Sequence, residues 1–257
     1  MILQVDNVSK SFGGLQALVK VTFDLPEGQI LGLIGPNGAG KTTLFNIING
    51  VFPPTEGKIS FRGEDVTRLK PYHLAHRGLA RTHQIVKPLN ELTVLENVMV
   101  GACYGSQGKS LNDARHTAQQ VLAFLGLADQ ASQLAGSLNV VQKKIMEMAR
   151  AMASQPHLLL LDEVLAGLNP SEIEEMEGTV RQIQQQGVTI IIIEHVMHAL
   201  MSLSDRVIVL DHGHQIAEGT PEEVSRDQRV IEAYLGDPKA VKRMLENIDK
   251  GISHGDS

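Results

Sequence analysis

One cysteine, Cys103, stands in 257 residues. A disulfide framework is excluded, and a reducing compartment is the expected home. Positive charge is not in excess: 23 Lys and Arg face 29 Asp and Glu, a formal net charge of −6. That balance argues against a generally basic nucleic-acid binder and leaves only a local basic patch open. No apolar run approaches the ~20 residues a membrane span requires, so contact with a membrane has to come through a partner. The opening stretch MILQVDNVSKSF has no basic segment followed by an apolar core, and no signal peptide is expected. Internal repeats and low-complexity segments are absent as well. The hydrophobic fraction, 42%, is ordinary for a globular protein and enough for a sizeable core. The length suits one large α/β domain or a core with a subdomain.

Short β-rich runs come first, at residues 2–5, 19–25 and 29–34, broken by Gly13, Gly14 and the turn 26–28. A helix is expected over 42–49 and a further strand over 58–62. From about 88 to 156 the pattern is helical, with segments at 94–100, 112–125 and 145–152, and 101–110 reads as a polar surface loop. Beyond Pro156 come a strand at 157–161, a helix at 170–186, and strands at 188–193 and 206–210. Continuous apolar strands alternating with helices indicate a mostly parallel sheet covered on both faces. Val241, Met244, Leu245 and Ile248 have i, i+3, i+4, i+7 spacing, so a short amphipathic helix is expected around 239–249.

GPNGAGKT, Gly35 to Thr42, fits the phosphate-loop pattern G-x-x-x-x-G-K-[ST] at every fixed position. The strand before it and the helix after it are the context the motif demands. Glycines let successive backbone N–H groups turn inward around a phosphate, and a helix N-terminus adds partial positive charge. Gly35, Pro36, Asn37, Gly38, Ala39, Gly40, Lys41, Thr42 and Thr43 are therefore the expected nucleotide cradle. Lys41 is expected to reach the β/γ-phosphates and the Thr42 hydroxyl to hold Mg²⁺. The apolar run 158–161 delivers Asp162 to a sheet edge as a second Mg²⁺ ligand, direct or through water. Glu163, one residue on, is placed to polarise the attacking water as a general base.

The order of motifs resembles an ABC-type ATPase over about residues 1–236. The fold this implies is α/β, a RecA-like phosphate-loop core with an antiparallel β-subdomain and a helical subdomain. The core would comprise about 1–87 and 157–236, the helical subdomain about 88–156, and 237–257 an extension. Phe12, in KSFGG, matches the aromatic that stacks on adenine. Gln84, in RTHQ, matches the glutamine that senses Mg²⁺ and nucleotide and faces the membrane subunits. Asn169 stands at an aspartate position, and His195, in IIIIEH, at the switch histidine that contacts the γ-phosphate. RGLARTHQ, LTVLENVMVG, EHVM and EGTPEEV with VIEAYLG are more specific, and resemble the ATP-binding subunits of branched-chain amino acid importers. His83 replaces the expected phenylalanine, and Val164 a proline whose absence is expected to loosen the turn after Glu163.

The resemblance implies ATP and Mg²⁺ as cofactors, a second ABC ATPase subunit, two membrane permeases and, indirectly, an extracytoplasmic solute-binding protein. It implies a peripheral place on the cytoplasmic face of the inner membrane, and no nucleic acid. One segment departs from it. Where the family reads LSGGQ, Leu138, Asn139, Val140, Val141 and Gln142 stand here. In a head-to-tail dimer this segment closes over the ATP held by the other subunit. Valine loses the glycine's access to positive φ and obstructs a close backbone approach, while Asn139 still caps the helix and offers a donor. The expected result is a heterodimer with unequal sites, with a homodimer carrying two such sites as the alternative; the rival reading is that main-chain donors suffice. Another cargo (an amide, an organic acid or lipopolysaccharide) is the alternative within the fold. A soluble, non-transport ABC protein ranks below it, lacking here a second cassette or a coiled-coil insertion.

Overall fold

The structure, a computed structural model, describes residues 1–82, 87–106 and 108–234. The chain opens with β1 (Leu3–Phe12), β2 (Leu15–Leu25), β3 (Ile30–Ile34), α1 (Lys41–Ile48), β4 (Glu56–Phe61) and β5 (Glu64–Asp65). Next come α2 (Pro71–His76), β6 (Leu79–Arg81), α3 (Val94–Tyr104), α4 (Leu111–Phe124), α5 (Val140–Ala153), β7 (Leu158–Asp162) and α6 (Pro170–Gln185). It closes with β8 (Thr189–Ile193), α7 (Met197–Leu203), β9 (Arg206–Asp211), β10 (His214–Gly219), α8 (Pro221–Arg226) and α9 (Gln228–Tyr234). The described residues form two compact units, one of 1–68 with 189–234, the other of 69–188.

In the first unit an antiparallel sheet runs in the order β2-β1-β4-β5. Its β1 is longer than the apolar run at 2–5 suggests. Register shifts after Val5, Val8 and Lys10 break the alternation of buried and exposed residues, so a period-2 reading loses the strand where it continues to Phe12. In the same unit β3 lies between β8 and β9 and parallel to both, with Gly32 opposite Ile192 and Val207. Antiparallel β10 follows on β9. Every residue of β3 (ILGLI) and β8 (TIIII) is buried, as unbroken apolar strands require when both faces are covered. Ile34, Leu200, Val207, Val209, Val230 and Tyr234 share one core cluster there. Burial drives the Tyr234 phenol well above its usual pKa, so it stays neutral.

In the second unit β6 and β7 pair in parallel, Arg81 opposite Leu160, and α3, α4 and α5 pack on one another. Here one expectation fails. The segment 101–110 is not a loop from its start, because α3 continues to Tyr104. A Cβ on Gly101 would lie 1.9 Å from the Arg150 carbonyl oxygen of α5. The glycine therefore marks a close crossing of two helices rather than a chain break. No helix among the described residues is long and apolar enough to cross a membrane. The extension 237–257, with the helix expected at 239–249, lies outside the described residues.

Candidate functional site

The buried strand β3 ends at Ile34 and the phosphate loop carries the chain into α1. Gly35, Gly38 and Gly40 have φ of 152°, 82° and 104°, backbone that side-chain-bearing residues rarely adopt. At Gly35 and Gly40 space is closed as well: an added Cβ would lie 2.1 Å from the Leu210 carbonyl oxygen and 2.7 Å from that of Ala17. Helix α1 starts without a side-chain cap and with no acid in its first turn. Helices α3, α4, α5, α6 and α8 have a capping side chain, whereas the shorter α2 and α7, like α1, do not. The first N–H groups of a helix need an acceptor, and an uncapped N-terminus with its partial positive charge fits a phosphate. Lys41 is buried, its Nζ donating to the Gly35 and Pro36 carbonyls at 2.6 and 3.0 Å. Ala39 is buried, Pro36 and Thr43 are half-buried, and Asn37, Gly38 and Thr42 are exposed.

Phe12 ends β1 and is 45% exposed, so it does not cap a core. Its ring meets that of Phe52 edge-on with centroids 5.3 Å apart. The Lys10 ammonium stands 5.1 Å from the Phe12 centroid and 4.9 Å from that of Phe52, and donates to the Pro53 carbonyl at 2.7 Å. This is a pair of aromatic rings with a cation over it, suited to a flat, electron-rich ring. Sequence reading misses Phe52 and Lys10. The register shift after Lys10 removes the period-2 rule that would tie Lys10 to Phe12, so strand spacing carries no signal for it. His195, also in this unit, is exposed just past β8, while its neighbour Glu194 is buried.

The second unit holds the carboxylates. Asp162 ends the fully buried β7. Its Oδ2 accepts from Arg81 Nη2 at 2.7 Å, and its N–H donates to the Thr82 hydroxyl at 3.2 Å. Glu163 is half-buried with φ of 54°. A non-glycine residue held there costs on the order of 1 kcal/mol and persists only where surroundings enforce it. The enforcement is visible. Lys144 of α5 is buried and donates to the carbonyls of Glu163 (3.5 Å), Val164 (2.9 Å) and Ala166 (2.5 Å). Val164 is buried and its carbonyl takes part in this clamp. Asn169 caps α6, accepting from the Glu172 N–H at 3.0 Å.

No group of three or more His, Cys, Asp or Glu side chains able to hold a metal exists among the described residues. A Mg²⁺ ion that arrives on phosphate oxygens asks less, one or two protein oxygens; the exposed Thr42 in the first unit offers a hydroxyl of that kind, and the second unit separately offers the Asp162 carboxylate. Gln84, expected to sense Mg²⁺ and nucleotide and to face the membrane subunits, lies outside the described residues, as does His83.

Leu138 is buried, and Asn139 is the N-cap of α5. The Asn139 side chain accepts from the Gln142 N–H at 2.8 Å, and the Gln142 side chain accepts from the Asn139 N–H at 3.1 Å. Val140 and Val141 are the first two helical residues, and neither has positive φ. The expected conformational penalty for replacing glycine is therefore not incurred in this chain. What remains is bulk: Val140 is 63% exposed at the mouth of the helix, where a backbone approach would have to pass a branched side chain. Replacing Asn139 with alanine opens this capping box and is expected to destabilise the protein by about 1 kcal/mol. Urea denaturation monitored by circular dichroism measures the loss.

The ABC transporter family model matches residues 18–166, and a model described as branched-chain amino acid ATP-binding cassette transporter matches residues 214–240. The chain is 36% identical over 254 residues to the high-affinity branched-chain amino acid transport ATP-binding protein BraF of Pseudomonas aeruginosa, covering 92% of this chain and 98% of that one. It is 37% identical over 250 residues to LivG of Escherichia coli K12, a protein of the same description, with the same coverage. Among solved structures, the ADP conformation of the ATP-binding cassette MJ1267 superposes with a TM-score of 0.78 at 33% identity, over 95% of this chain and 98% of that one. A dimeric post-hydrolysis state of the cassette MJ0796, bound to ADP and Pi, superposes at 0.76 and 25% identity, over 85% and 98%. With the uncapped phosphate loop, the carboxylate at the end of β7 and relatives matched over nearly their whole length, the chain belongs to the ABC transporter family, as one of its ATPase cassettes.

Proposed function

We propose that this chain powers the uptake of branched-chain or closely similar amino acids, as one ATPase subunit of a membrane importer. The observation that carries the cargo class is the match of residues 214–240 to the branched-chain model, joined to near-full-length relatives described as branched-chain amino acid transport proteins. In this reading the chain sits on the cytoplasmic face of the membrane, bound to two permeases and paired with a second ATPase.

The loop Gly35–Thr43 and Lys41 hold the phosphates, and the Phe12 platform takes the adenine. Thr42, Asp162 and Gln84 serve Mg²⁺, which when bound neutralises charge developing on the phosphates. Glu163 accepts the proton of the attacking water, and His195 contacts the terminal phosphate. The clamp from Lys144 supports this role for Glu163, since a base must be fixed to act.

The signature segment completes the other subunit's site. The exposed Val140 favours unequal sites: the partner's signature closes a competent site over this chain's Lys41 and Glu163, and the site closed by Val140 and Val141 turns over slowly. The purified chain alone is therefore expected to hydrolyse ATP weakly. Changing Val140 and Val141 together to glycine is expected to raise that rate by up to about 10²-fold, the scale of one transition-state donor. A steady-state phosphate-release assay reads both. Vigorous, cooperative hydrolysis by the unaltered chain contradicts the asymmetry. Mass spectrometry of the complex isolated from membranes tests the transport reading: permeases and a second ATPase are expected, and their absence counts against it.

A further inference from the structure

The Arg81–Asp162 pair has no place in the scheme just described. Arg81 closes β6, the strand beside β7, and stands opposite Leu160, two residues short of Asp162. Its guanidinium reaches along the strand to the carboxylate, at 2.7 Å, with the side chains only 8% and 5% exposed. Thr82, the next residue, brackets the same aspartate from the backbone side. Its hydroxyl takes the Asp162 N–H, and its own N–H donates to the Leu160 carbonyl at 2.9 Å. A carboxylate this dry requires a cation. A guanidinium and a divalent ion on one buried carboxylate repel each other, with little water to screen them.

We propose that Arg81 is the resting counter-ion of Asp162, and that it gives up the carboxylate when the nucleotide's Mg²⁺ arrives. This rests on the reading of Asp162 as a ligand of that ion. Arg81 is then a positioning residue. It holds the Asp162 carboxylate in position before the metal binds, and its release reports the bound metal to the end of β6. That strand end leads, three residues on, to Gln84. One cation leaves the carboxylate as another, of higher charge and arriving with the phosphates, takes it.

The test compares ATP affinity by isothermal titration in Mg²⁺ with that in EDTA, for the unaltered chain, Arg81→Lys and Arg81→Met. The ratio of the two affinities is the metal's contribution. Without its competitor the metal should gain, and Arg81→Met is expected to raise the ratio by about 10-fold, within the usual range of coupling between two ligands. Arg81→Lys, a point charge without the planar fork, should fall between. A ratio in Arg81→Met equal to that of the unaltered chain overturns the proposal. If Arg81→Met does not fold, the arginine side-chain Nε–H resonance of the unaltered chain decides, assigned by its loss in Arg81→Lys. It should move on adding Mg·ATP and stay in place with ATP and EDTA. A resonance indifferent to the metal overturns the proposal. Failure to take up ATP in either medium is a different result, and removes the nucleotide reading on which the proposal stands.

Discussion

Replacing Glu163 with glutamine is expected to lower ATP turnover of the assembled transporter by about 10²–10⁴-fold, the range for loss of a positioned general base. Mg·ATP should still bind. Glutamine keeps the size and one oxygen of the side chain but has no site for the proton of the attacking water. The Lys144 clamp grips main-chain carbonyls of the turn, so it survives the substitution and the turn keeps its shape. The loss should therefore appear in kcat with little change in KM, the mark of an interaction made only in the transition state. Single-turnover measurement of phosphate release separates this from slow product departure. A turnover rate within a few-fold of the unaltered complex removes Glu163 from the role of base.

The second large effect is on binding. Lys41→Ala should weaken ATP by about 10–150-fold, which corresponds to the ~1.5–3 kcal/mol of a hydrogen bond to a charged group. In the structure the ammonium lies under the loop, on the Gly35 and Pro36 carbonyls. It has to turn from neutral oxygens toward charged ones for the phosphate to gain, and the charge on the ligand favours that exchange. The same contacts imply a structural share in the loss, because alanine leaves those two carbonyls without this donor. Measuring the variant's unfolding free energy beside its affinity divides the two. A loss of affinity with unchanged stability places the effect on the phosphate.

How far the site could be read in advance depended on whether a residue's role is set by near neighbours in the chain. The phosphate loop was legible because glycine spacing, strand and helix are all local. The strands β3, β7 and β8 were legible because burial on both faces leaves unbroken apolar runs. Gly101 misled because a glycine that breaks a helix and one that lets two helices touch have the same composition; only the Arg150 carbonyl distinguishes them. Val140 and Val141 misled in part, since their φ angles follow from the capping box of Asn139 and Gln142 rather than from their own type. Arg81 and Lys144 were invisible for a further reason. Each acts on a partner about twenty or more positions away, and nothing in a charged residue's immediate surroundings says which carboxylate or carbonyl it will meet.

The claim beneath everything else is that the uncapped start of α1 and the glycine loop before it hold the phosphates of a nucleotide. Equilibrium titration of the purified chain with Mg·ATP tests it most directly. The expected result is saturable uptake of one nucleotide per chain, sharply reduced in Lys41→Ala. Absence of uptake, or uptake identical in that variant, would contradict it.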